Sequence, residues 1–336
     1  MKVNREQLLN QLEAVLPGLS TRELIEQSSC FVFKDGKVLT FNDEIACVQT
    51  CKIGIEGAVP AMPIVNLLRK MVEEEITILP VNDGKGLRIK GKRKQATIPM
   101  EAEIQLPIEA WEKPKKWRDL PDDFIDAISL VTPCASTDQS QFDLTCIHFH
   151  PDWLESCDGI QASRHLMSTG IKKEFIVRRD SVKNIVSLDM RETSETKNWV
   201  HYRNSDGLIL SCRRYQEDYR DISKIFDETK GKKFVMPKGI REACEKAVIF
   251  SAESLDHNEV TVVLEDGKMK IVAEGAAGIY RETKKTTYKG KPRKFRISPV
   301  LLSELSTRYN ECLLSVDRLK IEIGKYTYIT VLGKVS

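Results

Sequence analysis

The chain has 336 residues, 41% of them apolar and 30% charged, with a formal net charge of +3. That balance excludes a disordered chain, and the length calls for two or three domains. No apolar run reaches the length of a membrane span. The start, "MKVNREQLLN", has neither the apolar stretch nor the cleavage site of a signal peptide, so a cytoplasmic location with no membrane partner is expected.

In chain order, Leu8, Leu9, Leu12, Val15 and Leu16 fall on one face of a helix over Arg5 to Leu16, which Pro17-Gly18 stops. Alternating segments follow around "CFVFKDGKVLTF" and "IACVQTCKIGIE". A second helix begins near Pro60 and carries Ile64, Val65, Leu67, Leu68 and Met71, and strands resume at "EITILPV", "GLRIKGK" and "KQATIPM". The charged, proline-containing stretch "LPIEAWEKPKKWRDLP" reads as a linker.

The order then repeats. A helix over Asp122 to Val131 precedes strands around "LTCIHF" and "WLESC", "EFIVRRDSVKNIVSL" enters another helix, and "WVHYRN" and "LILSCRRY" pair. A third round runs from the helix "PKGIREACEKAVIF" through "EVTVVLEDGKMKIVAEG" and "RETKKTTYK" to the helix "SPVLLSELSTRY" and the strands "CLLSV", "RLKIEIG" and "YTYITVL". The first hairpins turn at Asp35-Gly36, near His150-Pro151 and at Asp266-Gly267, about 115 residues apart. Second hairpins are marked by Asp83-Gly84, Asp206-Gly207 and Asp317. Repetition at this period makes each unit a small domain of two helices over antiparallel strands, an α+β arrangement, with boundaries expected at 1–112, 113–230 and 231–336.

Chemical motifs are sparse. The sequence contains no G-x-G-x-x-G after a strand, no Walker A loop, no H-E-x-x-H and no G-x-S-x-G elbow, so nothing in it requires an enzyme or a cofactor. Nine scattered cysteines without paired C-x-x-C motifs read as reduced, buried thiols. His148 and His150 share a strand face, but no further ligand stands at a telling spacing, and ordinary strand histidines are the better reading. The carboxylates of "VEEEI" and "PDDF" sit at helix ends or starts, where solvation and the helix dipole account for them. Basic residues gather in "KGKRK" from Lys90, in "KKEFIVRR" from Lys172 and in "KKTTYKGKPRK" from Lys284. One cluster per repeat suggests an extended surface for a polyanion.

Several segments, taken in order, resemble the bacterial-type DNA polymerase III β sliding clamp, the processivity subunit of the replicative polymerase. "VPAMPIVNLLRKM" resembles the family's approach to its second helix, including the basic Arg69. "ESCDGIQA" resembles its strand ending in Asp-Gly, "EDYRDI" its Pro-Asp-Tyr-Arg motif, and "EACEKAVIFSAE" the first helix of its third domain. The resemblance covers nearly the whole chain and is divergent. It implies a homodimer of three-domain chains closed head to tail into a six-domain ring with twelve inner helices. Such a ring would encircle duplex DNA without reading its sequence and tether a replicative polymerase, and a separate ATP-driven clamp loader would place it.

Residue by residue, Arg22, Arg69, Arg178 and Arg179 match DNA-facing positions of the family. Lys70, Lys183, Lys238 and Arg241 join them by helix location alone, and Glu6, Glu13, Asp122, Asp123 and Asp126 make the expected lining of mixed sign. Ring closure implies a seam at Ala96, Ile98, Ile249 and Phe250. Ala96 replaces a large apolar residue, so a weaker seam is expected. A partner-peptide pocket between the second and third domains is implied at Leu144, Gly159, Ile160, Ile222, Leu255, Ile329, Val331 and Leu332.

Two departures touch this pocket. Ile160, Gln161 and Ala162 follow Asp-Gly where the family has His or Tyr, Arg and Leu, and Val331, Leu332, Gly333 and Lys334 replace its Met-Pro-Met-Arg ending. A partner peptide unlike that of a typical bacterial clamp is therefore expected, as would suit a phage or mobile-element replication system. The alternatives are a clamp-fold peptide adaptor or decoy that does not encircle DNA and, less favoured, an α+β enzyme.

Overall fold

Each Asp-Gly marker turns a hairpin. Strands Cys30–Lys34 and Lys37–Phe41 pair through Lys34 and Lys37, and the two residues between, Asp35 and Gly36, have φ of 52° and 68°. Positive φ at both positions is the type I′ turn whose twist matches that of the strands. Strands Val260–Glu265 and Lys268–Gly275 close the same way around Asp266-Gly267, and Glu75–Val81 joins Gly86–Lys90 around Asp83-Gly84. Trp199–Arg203 joins Ile209–Arg213 around Asp206-Gly207. At the middle copy, His150 N–H donates to Trp153 O at 3.0 Å.

The structure is a computed structural model that describes residues 1–227, 231–251 and 258–335. Its helices are α1 (Arg5–Ala14), α2 (Ala61–Lys70), α3 (Phe124–Val131), α4 (Arg179–Ser187), the single turn α5 (Ser223–Phe226), α6 (Ile240–Ser251) and α7 (Pro299–Arg308). The pairs α1/α2, α3/α4 and α6/α7 each pack together, in the order the sequence repeat predicts. Asn4 Oδ1 caps α1 by accepting from Gln7 N–H at 2.9 Å, and Leu8, Leu9 and Leu12 bury its inner face. Ser298 caps α7 with Pro299 at its first position. None of the described helices is long and apolar enough to cross a membrane.

The described chain divides into two compact units. The first comprises Met1–Pro133, Thr137–Leu154 and Met167–Tyr219, and the second Cys134–Ser136, Glu155–Leu166 and Arg220–Ser336. The first holds a four-stranded antiparallel sheet with Gln95–Pro99 at one edge. It also holds an eight-stranded sheet in which Ile45–Thr50 of the first repeat pairs with Ile209–Arg213 of the second. At one end of that sheet Gly57 (φ 131°) lies so close to Glu101 that a Cβ would come within 2.4 Å of its carbonyl oxygen, so only glycine fits. The second unit holds the run Gln161–Leu166, Tyr326–Val331, Arg318–Ile323, Glu311–Leu314 and Lys232–Val235. Its separate four-stranded sheet is ordered Gly278–Lys285, Lys268–Gly275, Val260–Glu265, Arg293–Ile297.

The stretch expected to be a linker is instead folded onto the eight-stranded sheet. Leu106 and Trp111 join a core with Phe41 and Trp199, and Arg118–Asp119 adds a short edge strand to Glu192–Glu195. Trp111 Nε1 donates to Ser211 Oγ at 2.9 Å, and the same hydroxyl meets His201 Nδ1 at 2.8 Å, while Thr196 Oγ1 meets His201 Nε2 at 3.1 Å. Proline and charge content suggested a tether. One tryptophan with a buried polar partner makes it part of the core.

His201 has no exposed surface, and burial pushes its imidazole down to about 4. The native state therefore refuses a proton that the unfolded chain accepts below about pH 6.5. Stability is expected to be full above that pH and to fall by about 1.4 kcal/mol per unit towards pH 4. Denaturant midpoints measured from pH 7 to pH 4.5 check this, and His201→Gln should remove that component of the slope.

All nine cysteines are buried free thiols, as expected. His148 stacks on Tyr219 with centroids 4.8 Å apart and lies 3.2 Å from Glu174 Oε2, while His150 stacks on Trp153 at 3.4 Å. Both rings are thus packed by neighbours of their own unit.

Candidate nucleic-acid and peptide-binding surfaces

Helix geometry decides where the predicted cations stand. Arg69 and Lys70 end α2, where positive charge complements the helix dipole. Arg178 and Arg179 open α4, Lys183 follows one turn on, Lys238 precedes α6, and Arg241 lies in its first turn. Cations at the starts of α4 and α6 oppose the helix dipole, although Asp180 and Glu242 offset them there. Helix N–H groups and nearby cations together favour an incoming phosphate.

Several of these residues already have partners. Arg69 Nε meets Glu13 Oε1 at 2.7 Å, Lys183 meets Asp180 at 2.9 Å, and Arg241 meets Glu245 at 2.8 Å. These exposed pairs are weak enough for a polyanion to exchange. Arg178 differs. It is half-buried, 3.6 Å from Glu44 Oε1, bonded to Gln139 and stacked over Phe142 at 5.6 Å, and Tyr215 O–H donates to the same Glu44 oxygen at 2.6 Å. That network ties strand Phe175–Arg178 to the loop before Ile45. Arg22, Lys70 and Lys238 are exposed.

In the second unit, the pairing of Gln161–Leu166 with Tyr326–Val331 and Arg318–Ile323 sets Ala162, Ile329 and Lys320 in one row across a sheet face. Ile160, Val331 and Arg318 form the next row, joined where Val331 N–H donates to Ile160 O at 2.9 Å. The short helix α5 covers part of this face. Arg164 holds it, with Nη2 2.6 Å from Glu155 Oε2 and 3.2 Å from Ser223 Oγ and its guanidinium 4.5 Å over the Phe226 ring. Lys320 Nζ donates to Phe226 O at 3.0 Å.

The result is an apolar ledge beside a buried floor. Ile222, Ile329 and Leu332 are buried, whereas Ile160 and Val331 are 63% and 47% exposed. Asp158 Oδ1 accepts from the N–H groups of Ile160 and Gln161 at 2.9 and 2.8 Å, which fixes the turn through Gly159 (φ 93°) and holds Ile160 outward. Of the remaining predicted pocket residues, Leu144 is buried in the first unit and Leu255 lies outside the described residues. Sequence reasoning missed Arg164 and Lys320. Their signal was alternation: each stands two residues from an apolar or half-buried position on the inward side of its strand, where a charge needs a reason.

Two of the predicted seam residues lie on a sheet edge strand and two on α6. Ile98 is buried and Ala96 half-buried on the edge strand Gln95–Pro99 of the first unit. In the second unit Ile249 is 63% exposed on α6, and Phe250 stacks on Tyr280 of the edge strand Gly278–Lys285 at 5.6 Å. Tyr280 O–H bonds to Glu282. Hydrogen bonds from Lys284 and Tyr280 hold that carboxyl down to about 2, so it stays ionised.

The fold is that of the DNA polymerase sliding clamp. The β chain of DNA polymerase III from Streptococcus pneumoniae superposes with a TM-score of 0.84 over 99% of both chains at 14% identity. The β subunit from Thermotoga maritima gives 0.83 over 100% of this chain and 99% of its own at 15% identity. A Bartonella birtlesii sliding clamp, solved bound to griselimycin, gives 0.83 at 16% identity with the same coverage. No sequence-family model and no curated protein matches the chain.

Proposed function

We propose that this chain is a non-catalytic DNA sliding clamp with three domains, 1–112, 113–230 and 231–336, two copies of which close head to tail around duplex DNA. The observation that carries this reading is the end-to-end structural match, which leaves no part of the chain without a clamp counterpart. The open edges at Gln95–Pro99 and Gly278–Lys285 suit closure, because pairing them would protect two exposed strand edges at once. Cations at the end of α2 and at the starts of α4 and α6 supply weak, exchangeable phosphate contacts that permit sliding. The ledge of Ile160 and Val331 takes an apolar peptide from a replicative polymerase or a clamp loader, with Arg318 beside it to orient a carboxylate.

Light scattering over a dilution series tests closure. A species of twice the 38.2 kDa chain mass that persists on dilution is expected. A persistent monomer points to the adaptor or decoy reading, or to a seam weakened by Ala96. For the groove, Ile160→Asp together with Val331→Asp is expected to reduce binding of a polymerase-tail peptide by about a hundredfold, since both changes place charge against its apolar anchors. Calorimetric titration checks it, and unchanged affinity would move the peptide site elsewhere.

A further inference from the structure

The basic cluster near the C-terminus has no part in the helix-borne contacts above. It belongs to the four-stranded sheet of the second unit, whose two faces treat charge differently. On the face towards α6, Lys284 meets Glu282 at 2.6 Å, and Lys246 of α6 meets the same carboxylate at 3.4 Å. On the opposite face, Lys268, Lys270, Arg281, Lys285 and Lys294 are all exposed and have no ion pair among the described residues. Glu265 and Glu274 share that face and Glu259 pairs with Arg296 at its far side at 3.9 Å, so the cations there outnumber the carboxylates.

The register sharpens the point. Lys268 and Lys285 stand directly opposite each other across neighbouring strands, with Lys270 two residues along. Like charges in that relation destabilise a sheet; Glu265 opposes Lys268 from its other neighbour strand, and no strand residue supplies a carboxylate opposite Lys270 or Lys285. An external anion can supply that charge.

We propose that this outward sheet face is a second, sequence-independent binding surface for the phosphate backbone of nucleic acid. The one aromatic side chain of the edge strand, Tyr280, points the other way to stack on Phe250. Dispersed cations on such a surface suit phosphates, which need neither a groove nor a stacking platform, better than they suit an acidic peptide, which needs a groove or a strand edge for its main chain. The surface does not depend on ring closure, because edge pairing of Gly278–Lys285 leaves its side chains facing outward.

The test uses the full-length protein and a short duplex closed by a hairpin loop at each end, followed by fluorescence anisotropy. Five phosphate contacts predict a slope of log affinity against log salt of about −4 to −5. The triple variant Lys268→Ala/Lys270→Ala/Lys285→Ala should bind about tenfold more weakly or worse, with a slope shallower by about 2 to 3. Arg69→Ala/Lys70→Ala/Lys238→Ala, on the helices, removes proposed ring-lining contacts that a duplex closed at both ends cannot thread to reach, and should weaken this binding less than the sheet variant does. Lys285→Glu adds a readout, since it should raise the melting temperature by relieving Lys268 while lowering affinity. Equal binding by the wild type and the sheet variant, no binding at about 50 mM salt, or tighter binding of poly-L-glutamate than of the duplex would each overturn the proposal. Failure of the helix variant alone would instead locate the contacts in the proposed ring lining.

Discussion

Trp111→Ala is expected to cost about 3–5 kcal/mol, the range for removing a large buried aromatic side chain without compensation. Trp111 is 8% exposed and packs in one cluster with Phe41, Leu106 and Trp199, its ring 6.2 Å from that of His201. Its indole N–H also completes the chain through Ser211 to His201, so the loss includes a buried hydrogen bond. Trp111→Phe separates the two parts. It keeps most of the packing and is expected to cost about 1–2 kcal/mol, because Ser211 Oγ retains its bond to His201. Denaturant midpoints measure the sizes, and hydrogen exchange over residues 106–119 locates the effect. Rapid exchange there in Trp111→Ala, with the rest of the first unit protected, identifies the tryptophan as the pin of this segment. An unchanged pattern would show that the segment is held by its edge strand instead.

The same segment marks where sequence reading stops. Elements whose information is local were legible. Asp35-Gly36 announces a type I′ turn because few residues accept positive φ twice, and "EITILPV" alternates over the seven residues of Glu75–Val81 that form a strand. The threefold order of helices followed for the same reason. Interactions that depend on residues far apart were not legible. The resemblance matched Arg178 to a DNA-facing position, but its Glu44 partner lies 134 residues away and the stacking Phe142 follows no periodic signal. The candidate groove was legible only in part, for a related reason. The resemblance marked Ile160 and Val331, and the structure exposes both. What lies beside the ledge is α5, whose hold depends on Arg164, Lys320 and a strand register that only the folded sheet defines.

Arg164→Ala is expected to have the other large effect, about 3–5 kcal/mol, because it takes a charged partner away from a buried carboxylate. Glu155 is 3% exposed, and Arg164 approaches its Oε2 at 2.6 Å. The damage should reach the groove, since Arg164 is also the side chain that touches Ser223 and the Phe226 ring. Without it α5 loses the contacts of Arg164 with Ser223 and the Phe226 ring and keeps the bond from Lys320 to Phe226 O. Peptide affinity is therefore expected to fall together with stability, although Arg164 lies away from the exposed ledge. Replacing both partners, Arg164→Met with Glu155→Leu, removes the buried charge altogether and should recover most of the stability, as apolar replacement of a buried pair often does. It should not recover full peptide affinity, because methionine cannot bond Ser223. Recovery of both would mean that the ion pair supports the sheet alone and that α5 is held by Lys320. Recovery of stability without affinity would assign Arg164 the positioning role that its contacts with α5 describe.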